Sequence, residues 1–327
     1  MRKIKYAQAI NEAFVQMMGN YDDVFVIGQG LDSPWSVGST MVGLIEKFGS
    51  NRVIDTPIAE NAITGIAVGS ALSGMRPVLI HPRMDFMYLA MDQIINSAAK
   101  WYYMFGGKIS VPITIRAIVN RGAGQGAQHS QTNQAMFMHV PGLKIVMPAT
   151  GYDAKGLLVA SILDDNPVIY IDDRWLYDIE DNVPEDAYMV PIGKGAIRKE
   201  GKDVTLVATS YMVLESVKAI EILDNEGIDV ELIDLRSLKP LDEDLLFESV
   251  KKTGRLVIAD GTWKTCGVAA EISALVVENI FEYIKAPIMR VTLPDTPAPA
   301  SYVLEKVYYP DTHNIIMAVK STINWRQ

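Results

Sequence analysis

Short β-branched runs alternate with longer helical patterns along the whole chain, and that alternation leaves few folds open. In the first half, residues 24–27, 77–80, 113–116, 144–147 and 168–171 read as strands, with helices expected near 40–48, 60–74, 88–104 and 153–163. In the second half the strands fall at 203–208, 230–235, 255–260 and 288–293, separated by helices with apolar spacing such as Val213, Val217 and Ile220. One of these helices has Asp242 placed to cap it and Gly254 just past its end. Strands that alternate with helices pair in parallel, because each crossover needs a helix to return the chain to the same edge. The expected fold is α/β, with two doubly wound domains. The stretch 172–201 is acidic, proline-bearing and without periodicity, so it reads as the linker, with domains at 1–185 and 186–327.

Composition removes several classes of function. The 327 residues suffice for two ordinary cores. Lys and Arg number 30 against 39 Asp and Glu, a formal charge of −9 without a basic block, so nucleic acid is not an expected partner. The single cysteine, Cys266, excludes an internal disulfide framework and fits a reducing cytosol. The basic start Met1-Arg2-Lys3-Ile4-Lys5 looks like a signal n-region, but Gln8, Asn11, Glu12 and Gln16 break the apolar core that should follow. No run is long enough to span a bilayer. A soluble cytoplasmic protein is expected, with no membrane contact.

Two segments carry the chemistry. In Asp55-Thr56-Pro57-Ile58-Ala59-Glu60, Thr56 reads as an N-cap and Pro57 as the first helical residue, which puts Glu60 at the fourth position, too late for a capping box. The helix that follows is nearly uncharged and carries Gly65 and Gly69, each costing roughly 1 kcal/mol against alanine. Something must therefore approach that backbone closely. Glu60 is either a first-turn acid favoured by the helix dipole or a carboxylate held in a dry site to share a proton with a ligand. The second segment, Arg121-Gly122-Ala123-Gly124-Gln125-Gly126-Ala127-Gln128-His129-Ser130-Gln131, follows a strand and presents one imidazole. It is either a surface loop or a flexible cover that brings His129 to a reacting group.

Other motifs carry less. Gly28-Gln29-Gly30 lacks the third glycine and spaced acid of a dinucleotide fingerprint. His81, His129, His139 and His313 lack metal-ligand spacing, and Ser130 is not in a nucleophile elbow. Met136, Met138 and Met147 read as core filler. The second half has neither a Gly-rich phosphate loop nor a triad-like cluster and reads as a docking and assembly domain.

The first half resembles the pyrimidine-binding domain of thiamine-diphosphate enzymes. The whole chain resembles the β subunit of a 2-oxo acid dehydrogenase of the pyruvate or acetoin type, with a transketolase-type C-terminal domain. The resemblance rests on Arg52-Val53-Ile54-Asp55-Thr56-Pro57-Ile58-Ala59-Glu60, Asp92-Gln93-Ile94-Ile95-Asn96-Ser97-Ala98-Ala99-Lys100, Gln128-His129-Ser130-Gln131, His139-Val140-Pro141-Gly142-Leu143-Lys144, Ala154-Lys155-Gly156-Leu157 and Glu231-Leu232-Ile233-Asp234-Leu235-Arg236-Ser237-Leu238. It implies oxidative decarboxylation of a 2-oxo acid with acyl transfer to lipoamide. Glu60 would bind the pyrimidine nitrogen of thiamine diphosphate, Phe86 would stack on the ring, and His129 would line the substrate channel and assist acyl transfer. Gln29 occupies a cofactor-adjacent position where relatives carry an acid. The backbone around Ile113, Ser161, Ile162, Asp164 and Asn166 matches a potassium site.

The chain has no Gly-Asp-Gly motif for magnesium and diphosphate. The resemblance therefore implies an α subunit that binds magnesium, an α2β2 assembly with a β–β contact, and a lipoyl acyltransferase core as a further partner. The Gly65/Gly69 helix suits close packing at the subunit interface. His81, Pro82 and Arg83 replace an apolar or small stretch before Phe86. Two rival readings share the fold: the C-terminal subunit of a split transketolase, and a non-catalytic assembly subunit.

Overall fold

Strands buried on both faces are expected to carry near-continuous apolar runs rich in Val and Ile, and the first half has several such runs. In a computed structural model, which describes residues 2–325, β2 (Val24–Gly28), β5 (Thr114–Val119) and β7 (Val168–Asp173) are buried at every position. Met1, Arg326 and Gln327 lie outside the described residues. The chain divides into two compact units, Met1–Arg121 with Met136–Ile192, and Gly122–Ala135 with Gly193–Gln327. The loop that carries His129 falls in the second of these units.

The first unit is built on parallel strands. With β3 (Val53–Asp55), β4 (Arg76–His81) and β6 (Lys144–Val146), its strands run in the order β6-β7-β5-β4-β2-β3. The chain leaves β2 in one direction to form β3, then returns across β2 to form β4 on its other side. The helix Glu60–Leu72 makes that return and packs on β4. Such a reversal opens a crevice beyond the carboxyl ends of β2 and β4. Beneath the sheet, the helix Tyr6–Asn20 buries Ile10, Ala13, Phe14 and Met17 and packs against the helix Gly151–Leu163.

The second unit repeats the plan with a smaller sheet, ordered β14-β13-β10-β11-β9. Its strands are β9 (Ala196–Lys199), β10 (Val204–Ala208), β11 (Val230–Asp234), β13 (Leu256–Trp263) and β14 (Met289–Leu293); a short β12 (Ser237–Lys239), which is not part of this sheet, follows β11 in the chain. All neighbours in this sheet are parallel except β9, which runs antiparallel to β11. Both units are α/β, as the alternating pattern requires.

Local expectations fail where long-range contacts intervene. The acidic linker is ordered: β8 (Glu180–Val183) pairs antiparallel with β1 (Arg2–Lys5), and β9 lies in the same stretch. The helix expected at 88–104 is instead a 3₁₀ turn (Met84–Ala90), a π-helical turn (Gln93–Ala98) and a short α-helix (Trp101–Met104). A side chain at Gly142 would collide with the Ala99 carbonyl, and Lys100 Nζ donates to the Pro141 carbonyl at 2.7 Å. Two of the quoted motifs are therefore one packed corner. The helix near 40–48 shortens to Leu44–Phe48 because Gly43 is left-handed at φ 74°. Helix Glu243–Thr253 ends at left-handed Gly254 as expected, but Asp242 does not cap it through its side chain. That carboxylate accepts from Lys194 Nζ at 3.2 Å and from the Gly195 N–H at 3.1 Å. Val217 is exposed where Ser216 is buried, and Met136 is exposed whereas Met147 is in the core.

Candidate active site

The crevice at the carboxyl ends of β2 and β4 holds three of the residues expected to act together. Gln29, Glu60 and Phe86 line one cavity, with Ile63, Leu79, Ile80, His81, Pro82 and Arg83. Gly28 ends β2 against β4, where an added Cβ would lie 2.6 Å from the Ile80 carbonyl. No side chain fits there, so the next residue, Gln29, is brought to the cavity edge. The loop after Gln29 is held by Asp55, whose carboxylate accepts from the Leu31 N–H at 3.1 Å and the Asp32 N–H at 3.4 Å.

Glu60 reaches the cavity by a route other than the one expected. The Thr56 N–H donates to the Gly28 carbonyl at 3.0 Å and to Asp55 Oδ1 at 3.1 Å. It thereby continues the β2–β3 pairing, so neither Thr56 nor Pro57 can open a helix. The helix begins at Glu60 itself, after Ala59 in a non-helical conformation (φ −158°, ψ 65°). Glu60, in the first turn, is 9 % exposed as a residue. A first-turn position aligns an anion with the positive end of the helix dipole. Thr64 sits one turn on, donating through Oγ1 to the Glu60 carbonyl at 2.7 Å, with His81 Nε2 3.5 Å away. Burial lowers the His81 pKa to about 4, so this imidazole is neutral near pH 7. Thr64 was not singled out from the sequence; its place four residues after Glu60 was the available signal.

The glycines of the Glu60 helix differ in role. Gly65 lies against the side chain of Gln93, with the nearest atom 3.6 Å from where its Cβ would be. Gly69 has nothing within 4 Å, and Ile66 on the same outward face is exposed, as is Ile58 before the helix.

His129 stands in the second unit, on a loop with left-handed Gly122, Ala123, Gly124 and Gly126. At its start, Gly122 N–H donates to Tyr309 Oη at 3.3 Å and Gly124 N–H to Glu305 Oε1 at 2.9 Å. At its end, Thr132 Oγ1 donates to the Gly261 carbonyl and Thr262 Oγ1 to the Thr132 carbonyl, both at 2.8 Å. His129 itself is half-buried. The anchors Glu305, Tyr309 and Thr262 were not legible in the sequence, because nothing local marks a partner some 130 to 190 residues away.

The residues expected around potassium meet a different cation. Arg76 donates to the carbonyls of Ile162 at 3.3 Å and Asp164 at 3.1 Å and pairs with Asp165 at 2.5 Å. Lys144 Nζ pairs with Asp164 at 2.5 Å, and the Ile113 and Ser161 carbonyls accept from the N–H groups of Val168 and Asp164. Asn166 N–H donates to Asp164 Oδ1 at 2.8 Å. A guanidinium and an ammonium thus take part of this donor set. Among the described residues no group of three or more His, Cys, Asp or Glu could hold a metal ion.

The transketolase pyrimidine-binding domain matches residues 2–178, and the transketolase C-terminal domain matches residues 193–315. This chain belongs to the transketolase family. Among curated relatives it is 42 % identical to the β subunit of acetoin:2,6-dichlorophenolindophenol oxidoreductase of Bacillus subtilis, over 96 % of both chains. It is 43 % identical to the subunit of the same name in Cupriavidus necator, over 98 % of both. It is 42 % identical to the pyruvate dehydrogenase E1 component subunit beta of Rickettsia felis, over 97 % of this chain and 98 % of that one. A solved structure titled "Split gene transketolase, inactive beta4 tetramer" shares the fold, with a TM-score of 0.82, 24 % identity and 99 % coverage of both chains. Thiamine diphosphate is the cofactor this family implies. The lining has the residue types that a pyrimidine ring would meet: a buried glutamate and an aromatic ring beside Ile63, Leu79 and Ile80. No helix among the described residues is long and apolar enough to cross a membrane.

Proposed function

We propose that this chain is the β subunit of a thiamine-diphosphate-dependent 2-oxo acid dehydrogenase, active in an α2β2 assembly and passing its acyl group to lipoamide. The observation that carries the reading is the buried first-turn residue Glu60 in a cavity shared with Phe86 and Gln29. Relatives named as β subunits of pyruvate and acetoin enzymes, similar over nearly the whole chain, support it.

Bound thiamine diphosphate supplies the nucleophilic carbon and the electron sink for decarboxylation. Glu60 would hydrogen-bond the ring nitrogen of its aminopyrimidine and hold a proton at that atom. The apolar walls Ile63, Leu79 and Ile80 exclude water, which strengthens a charge-assisted hydrogen bond in the site. Phe86 would pack on the ring face, and Gln29 would offer its neutral amide at the rim. His129 would give a proton to the acceptor sulfur during acyl transfer. The chain has no Gly-Asp-Gly motif, so magnesium and the diphosphate fall to the α subunit. The exposed face of the Glu60 helix, with Ile66 and open Gly69, suits that contact.

The isolated chain should bind thiamine diphosphate weakly and decarboxylate nothing, and assembly with its α partner should restore both. Within that assembly, His129→Ala should depress acyl transfer to lipoamide about 10²–10⁴-fold while sparing decarboxylation read with an artificial acceptor. Tight magnesium-dependent cofactor binding by the isolated chain in calorimetry would sink the half-site reading. Ketol transfer between sugar phosphates, without lipoamide activity, would replace it with the split-transketolase reading.

A further inference from the structure

The cavity extends beyond Glu60 to a cation that the mechanism above does not use. Arg83 lines it, and its Nη1 is buried with no hydrogen-bond partner among the described residues. A dry, unbonded guanidinium nitrogen is costly, so its persistence marks a place that something else completes. Burial, and after it repulsion from Arg174, lowers the Arg83 pKa, with Asp85 opposing.

The two arginines are carried by a built framework. Arg174 Nη1 donates to Asn120 Oδ1 at 2.8 Å, and its guanidinium lies 5.1 Å from the Trp35 ring centroid. Asn120 is fully buried, and its Nδ2 donates to the Pro82 carbonyl at 3.1 Å, the residue just before Arg83. One amide thus ties the segment bearing Arg83 to Arg174. Arg83, Asn120 and Arg174 follow β4, β5 and β7, which are adjacent, so all three lie on the sheet edge where Glu60 sits. Asp85 opposes one of the two cations and Glu60 is turned to the cofactor in the reading above, which leaves the other cation for an anion.

We propose that Arg83, placed with Arg174 through Asn120, is a specificity residue for a second anionic group on the substrate, a carboxylate or a phosphate-type oxyanion. This rests on the 2-oxo acid reading above. The carboxylate that is lost is a poor ligand for such a cation. Its charge leaves it as carbon dioxide forms, so a guanidinium clamped there would stabilise the reactant more than the transition state. The arginine serves an anion that persists through the reaction.

The test uses the assembled α/β enzyme with pyruvate, 2-oxoglutarate as the carboxylate arm and phosphonopyruvate as the phosphonate arm. The wild type should favour one anionic arm over pyruvate. Arg83→Leu should lose on the order of 10–100-fold in kcat/KM on that arm, chiefly through KM. The loss on pyruvate should be clearly smaller than on that arm, and Arg83→Lys should recover part of the loss on the anionic arm. Calorimetry adds a readout without turnover: glutarate or methylphosphonate, whichever matches the favoured arm, should bind the wild type and not Arg83→Leu. Equal losses on every substrate, or a wild type that prefers pyruvate, would overturn the subsite and leave the 2-oxo acid reading intact. Dissociation of the subunits on Arg83→Leu would overturn it in favour of an ion pair with the partner. No turnover of any 2-oxo acid, with the cofactor bound, would remove both.

Discussion

Two groups of buried charge lie in the first unit, and they are built on opposite principles. Arg116 and Asp172 are both fully buried on neighbouring strands, and every charge between them is matched. Arg116 Nε donates to Asp172 Oδ1 at 2.9 Å and Nη2 to Oδ2 at 2.7 Å, while Nη1 reaches Thr40 Oγ1 at 2.8 Å. Tyr177 donates its hydroxyl to the same carboxylate at 2.5 Å. Burial opposes the Arg116 charge, but Asp172 more than offsets it and raises the guanidinium pKa. Around Glu60 the accounts stay open: Thr56 Oγ1 and Arg83 Nη1 are buried without hydrogen-bond partners among the described residues, and His81 is held neutral. A completed polar network specifies a fold, whereas an incomplete one beside a cavity waits for a ligand.

The largest effect that distinguishes the two should come from Glu60. In the assembled enzyme, Glu60→Gln should slow proton exchange at the cofactor's reactive carbon by about 10²–10⁴-fold, the range of general acid–base assistance. Thermal stability should change by no more than about 2 kcal/mol, the upper range for a first-turn acid that is largely buried. Near-normal exchange in a folded, cofactor-loaded variant would reduce Glu60 to a helix-terminal acid and erase the contrast.

Next in size is the closed network. Arg116→Met strands Asp172 in the core and should cost about 3–5 kcal/mol, read from urea midpoints. The double variant Arg116→Met with Asp172→Leu should recover most of that loss, because removing both charges removes the stranded one. A double variant as unstable as the single one would show that Thr40 and Tyr177, rather than the pair, hold this region.

His81 should give the smallest effect. Its folded pKa of about 4 lies below the ordinary value of 6.5. As pH falls through that window the unfolded chain takes up a proton that the folded chain refuses, so stability is full above pH 6.5 and is lost on acidification. The expected loss between pH 7 and pH 5 is about 2 kcal/mol. Replacing His81 with Gln should flatten that slope, and an unchanged slope would move the acid sensitivity to another group.

Much of this was legible before the structure. Nine strands follow from short β-branched runs, because burial on both sheet faces demands them. The family resemblance implied Glu60, Phe86 and Gln29 as one cofactor-binding set, and the fold gathers them in one cavity. The start of the Glu60 helix was misread because Thr-Pro is a sound local cap signal, and a strand hydrogen bond from Thr56 to Gly28 overrides it. The broken helix after Met84 was equally hidden, since its corner at Ala99 is set by Gly142 more than 40 residues later.

The sequence by itself determined the class of fold and the supply of chemistry: parallel α/β alternation, one carboxylate at the head of a small-residue helix, and one histidine in a glycine loop. Both arginines, 83 and 116, were equally visible there. Only the tertiary structure set one against Asp172, 56 residues away, and left the other with a buried, unbonded nitrogen in a cavity. Local propensity acts over a few residues, whereas the fate of a charge depends on what long-range packing brings within hydrogen-bond reach and what it shuts off from water.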